Sequence, residues 1–470
     1  MLDEAAVEKF LDEVYPYRRE SETYRTIPEV GRAPEDVLAE VQGYAEREDR
    51  MGDEGRVSGS LYCGDHDHYH ALSDVFEEFA HVNVLQRDMY PSATKFEAEI
   101  ISMVADMLHA ESAGTDVCGV VTSGGSESLI TALYTYREQA RAERGITSPN
   151  VVIPVTAHVA LDKGAHWLGI EMRHAPLNDD FVVDVDAMAE MIDENTIAIV
   201  GSAGNYAHGL IDPIDQLSDL ALSRGIGLHV DGCLGGFLLP WIEANGVDVP
   251  TWDFRLPGVT SISCDTHKYG YALKGTSTLM YRTKALRAHQ WFTYPDWPGG
   301  LYLSPGFAGS RSGGLIASTW ASLVITGREG YLKKAREIYD TAQAMVSGIR
   351  ADMPELRVIG EPTFLFAFDS DEVDVYLVND DLKRRGWRMN ALQLPPALHF
   401  CVTRPNTAPG IVDTFLADLR GAVDYAKANA GTPAESGAMY GLGGTPQGNE
   451  SINALMSAYL EAMHDTAPGA

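Results

Sequence analysis

Between residues 118 and 263, short apolar runs alternate with segments of helical periodicity, and no other feature of this chain restricts its fold as strongly. The runs fall at 118–122, 151–154, 197–201, 227–230 and 260–263. The segments between them, at 127–143, 160–168, 185–192 and 214–223, repeat their apolar residues every three to four positions. Short, nearly continuous Val/Ile/Leu runs are strands buried on both faces, and parallel neighbours need a helix-sized crossover between them. The pattern predicts an α/β fold whose mostly parallel central sheet is covered by helices. In such sheets, ligand-binding groups gather outside the carboxyl ends of the strands.

The flanks read differently. Residues 1–60 are polar and acidic, with helices expected at 2–15 and 34–45. Neither has a core of its own, so both are expected to drape over another surface or another subunit. Residues 76–79 and 96–109 read as amphipathic helices. After Leu315 a long helical stretch runs to about residue 349. Strands at 356–359, 363–368 and 400–402, with helices at 373–385 and 411–428, suggest a smaller α+β unit. A Gly/Pro/Ser-rich segment, 431–448, precedes a last helix at 452–464. The expected organisation is an N-terminal helical segment (1–60), a large domain (61–320), a small C-terminal α+β domain (321–430) and a C-terminal segment with its helix (431–470).

Charge narrows the partners. There are 67 Asp and Glu against 36 Lys and Arg, a net charge of -31. Binding to a nucleic acid or an anionic membrane needs a basic surface, so neither is an expected partner. The five cysteines, Cys63, Cys118, Cys233, Cys264 and Cys401, are odd in number and widely spaced. No disulfide framework or metal site follows from them, and a reducing, cytoplasmic setting is expected. No apolar run approaches the roughly 18–20 residues of a membrane span. The start Met1-Leu2-Asp3-Glu4 lacks the basic and apolar regions of a signal peptide.

Four strand ends carry residues suited to chemistry. Thr122-Ser123-Gly124-Gly125-Ser126 lies between a strand and a helix. Two glycines there let backbone N–H groups approach an anion at a helix N-terminus, so it reads as a phosphate cradle or as a capped strand-to-helix turn. His158 follows the second strand, where a lone histidine is more often structural than functional. Asp231 closes the 227–230 run, and an acid at a buried strand end needs a cation, a protonated nitrogen or a helix to cap. Lys268 stands in Asp265-Thr266-His267-Lys268-Tyr269-Gly270, where burial lowers a lysine pKa and makes it a candidate Schiff-base amine. Taken together, an anion cradle, a ring-stacking histidine, an acid and an amine are the four things pyridoxal 5'-phosphate needs.

With those residues in place, the chain resembles the sphingosine-1-phosphate lyase family, within the fold-type I, group II decarboxylase-like pyridoxal-phosphate enzymes. The matching stretches run from Gly55 to Tyr440. Besides the cradle and the lysine segment they include Gly55-Arg56-Val57-Ser58-Gly59, His208-Gly209-Leu210-Ile211-Asp212-Pro213 and Asp231-Gly232-Cys233-Leu234-Gly235-Gly236. Asp296-Trp297-Pro298-Gly299-Gly300, Gly309-Ser310-Arg311-Ser312-Gly313-Gly314 and Gln393-Leu394-Pro395-Pro396 complete the set. The resemblance implies the fold-type I transferase fold and assigns roles. Lys268 links to the cofactor, Asp231 keeps its ring nitrogen protonated, and His158 stacks on the ring. Gly125, Ser126 and His267 bind its phosphate. Ser310 reaches the cofactor of a neighbouring subunit, which implies a homodimer with shared sites. Tyr62 and Lys274 hold the substrate phosphate, Tyr206 and Tyr440 stand near the reacting centre, and Cys233 and His208 line the pocket. The resemblance also implies a soluble form without the membrane anchor of the family's eukaryotic members.

One position departs from the family. Asn83-Val84-Leu85-Gln86 stands where the family has Asn-Pro-Leu-His, so Gln86 replaces a histidine of the substrate-phosphate site. Glutamine donates only a neutral hydrogen bond, and Arg87 beside it is expected to restore the charge. The implied reaction is a retro-aldol cleavage of a phosphorylated amino alcohol to an aldehyde and phosphoethanolamine, with Tyr206, His208, Lys268 or the substrate phosphate as the base. The alternatives are an amino-acid decarboxylase on the same machinery and a cofactor-binding protein without turnover. Because cofactor and substrate are both anions and the chain is acidic, local cations at Lys274, His267, Arg87 and Arg311 are expected to overcome the global field, helped by salt.

Overall fold

The computed structural model describes residues 4–20, 24–437 and 446–464. Its centre is a seven-stranded sheet: β1 (Cys118–Thr122), β2 (Asn150–Pro154), β3 (Glu171–Ala175), β4 (Thr196–Ser202), β5 (Gly227–Asp231), β6 (Ser261–Cys264) and β7 (Ser277–Tyr281). The spatial order is β1-β7-β6-β5-β4-β2-β3. Strands β3, β2, β4, β5 and β6 pair in parallel. Strand β7 runs antiparallel between β6 and β1.

All five expected strands are present, because β1, β2, β4 and β6 are buried at every position and β5 at all but its first. Two more were not expected. Strand β3, Glu-Met-Arg-His-Ala, lies at the sheet edge and is mostly accessible, so it carries no apolar run. Strand β7 is wholly buried but begins Ser-Thr, and those hydroxyls are satisfied inside: Ser277 Oγ and Thr278 Oγ1 both donate to Cys264 O.

The hairpin β8 (Phe292–Tyr294) and β9 (Tyr302–Ser304) stands apart. A second sheet follows, antiparallel throughout: β10 (Arg357–Val358), β11 (Leu365–Asp369), β12 (Asn390–Gln393) and β13 (Pro396–Cys401), in the order β10-β11-β13-β12. Behind it Trp387, Phe400 and Phe415 interlock at ring separations of 5.1–6.0 Å. The helix Gly313–Asp352 connects the two sheets and runs through the expected boundary at residue 320. Its one non-helical residue is Gly327 (φ 56°, ψ 172°).

The N-terminal helix expected at 34–45 extends over Pro34–Asp53. Helix Glu4–Val14 packs against the last helix, Pro446–His464, with Phe10 stacked on Tyr459 at 3.9 Å. The two amphipathic helices are His66–Glu78 and Pro91–Met107. No helix among the described residues is long and apolar enough to cross a membrane. The parallel strands end together at Thr122, Pro154, Ser202, Asp231 and Cys264, and the segments that leave them build the site.

Candidate active site

The cradle forms where β1 turns into helix Gly125–Arg144. The helix has Gly124 at its N-cap and no side-chain cap, so its first amides point outward. Just inside, Thr122 Oγ1, Ser128 Oγ and Ser277 Oγ form a chain of hydrogen bonds at 2.7 and 2.9 Å that fixes the turn. Gly125 is required by crowding. A Cβ there would sit 2.8 and 2.9 Å from the two carboxylate oxygens of Asp265 and 3.0 Å from Cys233 Sγ.

Asp231 ends β5 at 8% exposure. Its Oδ1 accepts from the Cys233 N–H at 3.0 Å and from Ser263 Oγ at 3.4 Å. Cys233 Sγ lies 3.2 Å from Ser263 Oγ, and burial, with the Asp231 charge, drives its pKa well up, so it is a thiol.

Lys268 sits between β6 and β7. Its Nζ lies 3.0 Å from Asp265 Oδ2. Burial is the largest single influence and opposes the lysine's charge, but the Asp265 carboxylate, with smaller contributions from Tyr62 and Cys233, leaves the Lys268 pKa above the ordinary value. His267 accepts the Thr276 N–H on Nδ1 at 3.2 Å, which leaves its proton on Nε2, 3.6 Å from Asp265. Burial lowers its pKa, so His267 is a neutral donor and not one of the expected cations.

Lys274 is nearby. Its Nζ donates to Ser60 O at 3.1 Å and His267 O at 3.2 Å, and it stands 4.6 Å from the centre of the Tyr62 ring. The residue is exposed overall, but its ammonium lies against the protein wall. That desolvation, with the charge of Lys268 adding to it, brings its pKa down to about 8. Tyr62 is buried, edge-on to Tyr269 at 5.0 Å, and desolvation raises its pKa.

His158 is exposed after β2. Its Nδ1 accepts the Ala160 N–H at 3.1 Å, which caps the following helix and puts the ring proton on Nε2. Tyr206 stands between it and His399, 6.5 Å from the first ring and 4.7 Å from the second. His208 was expected to line the pocket. Instead it is 1% exposed, packed edge-on to Phe181 at 5.4 Å, and burial lowers its pKa to about 4. So weak a base is a poor proton acceptor from an alcohol, which weighs against His208 in that role.

A second group lies along β1. Asn83 Nδ2 donates to Ser310 Oγ at 3.0 Å, and Gln86, exposed, is on the same loop. The expected cations here are already paired. Arg311 makes two hydrogen bonds to the buried Glu97, at 2.7 and 3.0 Å, and Arg87 binds the same carboxylate. Tyr440 lies outside the described residues.

The residues fit pyridoxal phosphate. An uncapped helix start without Cβ atoms suits a phosphate, Lys268 offers an amine, and Asp231 offers a carboxylate at a strand end. Among the described residues no cluster of His, Cys, Asp or Glu could hold a metal ion. Sequence reasoning missed two residues here. Asp265 is a buried acid after a buried strand, and the logic applied to Asp231 would have found it. His399, on β13, faces the site only through the fold.

Residues 59–368 match the pyridoxal-dependent decarboxylase conserved domain. The chain is 41% identical to the sphingosine-1-phosphate lyase of Arabidopsis thaliana over 419 residues, 87% of this chain and 76% of that one. It superposes on the sphingosine-1-phosphate lyase of Burkholderia pseudomallei with a TM-score of 0.90 and 47% identity, covering 96% of this chain and 99% of the other. A glutamate decarboxylase of Lactobacillus brevis, at 21% identity and a TM-score of 0.73 over 89% of this chain and 98% of that one, shares the fold. The chain therefore belongs to the sphingosine-1-phosphate lyase family, within the pyridoxal-dependent decarboxylase group.

Proposed function

We propose that the protein is a pyridoxal phosphate-dependent carbon–carbon lyase. It cleaves a phosphorylated sphingoid base, or a similar phosphorylated 2-amino-3-hydroxy compound, to a long-chain aldehyde and phosphoethanolamine. The observation that carries the substrate class is Lys274. It is an ammonium close to Lys268 that donates to two carbonyl oxygens and, among the described residues, forms no ion pair with a carboxylate. A substrate phosphate supplies the missing counterion.

When bound, the cofactor supplies an aldehyde that captures an amine and a ring that accepts an electron pair. The chain's own residues do the rest. Lys268 Nζ would hold the cofactor's aldehyde group, and Asp231 would keep a proton at its ring nitrogen. The amides of the cradle and His267 Nε2 would bind its phosphate. His158 would cover its ring, and Tyr206 beside His158 would hold the proton of the substrate's C3 hydroxyl. We further propose a homodimer in which Ser310, with Gln86 on the adjoining loop, completes the site of the partner. Small-molecule binding of this kind needs neither nucleic acid nor membrane.

The test is direct. Lys268→Ala is expected to abolish both the cofactor's absorbance near the visible edge and aldehyde release from a phosphorylated sphingoid base. Survival of both would end the assignment. With the unaltered protein, carbon dioxide from an amino acid would point to the decarboxylase instead, and no product from a panel of phosphorylated amino alcohols would point to a binder.

A further inference from the structure

Asp265 has no role in the mechanism above, yet it is the group in closest contact with Lys268. It follows β6 directly and is 2% exposed. Oδ2 lies 3.0 Å from Lys268 Nζ, and Oδ1 is buried with no hydrogen-bond partner among the described residues. Both oxygens face Gly125, the first residue of the cradle helix, 2.8 and 2.9 Å from where a Cβ would stand. A buried carboxylate costs several kcal/mol unless a cation neutralises it. The ammonium in salt-bridge contact with it is that of Lys268, with neutral His267 0.6 Å farther away. Discharging Lys268 would therefore strand Asp265 as a buried, incompletely bonded anion.

This matters because only a neutral amine attacks an aldehyde carbon. The proposed reaction releases a long-chain aldehyde into the same pocket, and a free Lys268 amine would condense with it. We propose that Asp265 is a positioning residue that holds Lys268 as an ammonium beside the cradle, and so guards the amine against aldehydes while Lys268 is not linked to the cofactor. The proposal rests on reading Lys268 as the cofactor lysine.

The test uses the full chain stripped of cofactor and labelled by formaldehyde with cyanoborohydride, and mass spectrometry reads each lysine. Lys284, which is 64% exposed, is the reference. In the unaltered protein at pH 7.5, Lys268 is expected to label at least about tenfold more slowly than Lys284, and to speed up about tenfold per pH unit toward pH 9 as an amine below its pKa does. Asp265→Asn should raise the Lys268 rate at pH 7.5 by about tenfold or more, as expected when a pKa falls by at least one unit. Asp265→Glu, which keeps the charge, should stay within about threefold of the unaltered protein, well inside that one-unit effect.

Burial alone would slow Lys268 at every pH and would not respond to Asp265→Asn, so an unchanged rate in that variant overturns the proposal. Should Asp265→Asn fail to fold, the unaltered protein still decides, because a Lys268 rate that is flat with pH, or equal to that of Lys284, overturns it as well. A separate arm loads each protein with pyridoxal phosphate. Protection of Lys268 supports its reading as the cofactor lysine, and no protection sinks that reading while leaving the Asp265 measurement intact.

Discussion

Two cation-bearing regions lie along the carboxyl edge of the large sheet, and they are built on different plans. Around Glu97, two guanidiniums share one buried carboxylate, so two positive charges and one negative charge are fixed in a mutual network. Around Lys268, the lysine is paired with Asp265, but Lys274 rests on two carbonyl oxygens and the face of Tyr62. The first region is a joint between helix Pro91–Met107, strand β1 and the loop that carries Ser310. The second leaves an ammonium for an incoming anion. In a chain of net charge -31, what an anion feels is decided by which cations lack a carboxylate. A count of nearby arginines and lysines does not give that.

The largest break in this contrast is Glu97→Gln. Burial opposes the Glu97 charge, but Arg311 and Arg87 outweigh it and lower its pKa. Removing the charge leaves Arg311 partly buried without its partner, and a loss of about 3 kcal/mol is expected, at the low end because Arg87 is partly exposed. Thermal or urea unfolding reads it, and an unchanged midpoint would show that the network is not a joint. The same contribution is full above the ordinary glutamate pKa and fades as pH falls through the lowered folded value.

Lys274→Met comes next, and it should divide the two regions by kind. Unfolding should change little, while KM for a phosphorylated substrate rises roughly 100-fold, the equivalent of about 2.7 kcal/mol for a charge-assisted phosphate contact. If kcat falls as much as kcat/KM and KM is unchanged, the residue acts on the reacting atoms and the phosphate assignment fails. The pH profile is a milder form of this test. Lys274 is charged below its pKa of about 8. Substrate binding should therefore be tightest below that pH and weaken as pH rises through it. Lys274→Arg, which stays charged, should remove that limb.

Much of the fold was legible, and the misses share a cause. Strands such as β1 and β2 announce themselves because both faces are buried. Strand β3 hides because an edge position allows Glu171, Arg173 and His174. Strand β7 hides because its buried hydroxyls are paid for by partners on β6 and helix Gly125–Arg144, which lie far off in sequence. The site follows the same rule. Lys268, Asp231 and Gly125 can be found because each is odd for its local setting. That Arg87 and Arg311 are neutralised depends on Glu97, a residue of ordinary helical context, and that His208 is interior depends on Phe181. Local pattern reveals a residue that is out of place, and it does not reveal a residue that is already satisfied by something distant.

The smallest expected effect tests the border between the two regions. Gln86 lies on the loop that Asn83 ties to Ser310, next to the neutralised Arg87. With Arg87 held by Glu97, position 86 has no spare cation beside it, so the expected substitution of charge from Arg87 fails. If Lys274 alone sets the phosphate affinity, Gln86→His should change kcat/KM by less than about threefold at pH 8, where an ordinary histidine is neutral. Lowering the pH to 6 charges an added histidine, and a gain that appears only there would show that the loop reaches the substrate phosphate and that the native glutamine suits a head group of lower charge. Equal kcat/KM at both pH values, after correction for the unaltered protein, would place the whole burden on Lys274 and make the loop a structural partner of Ser310.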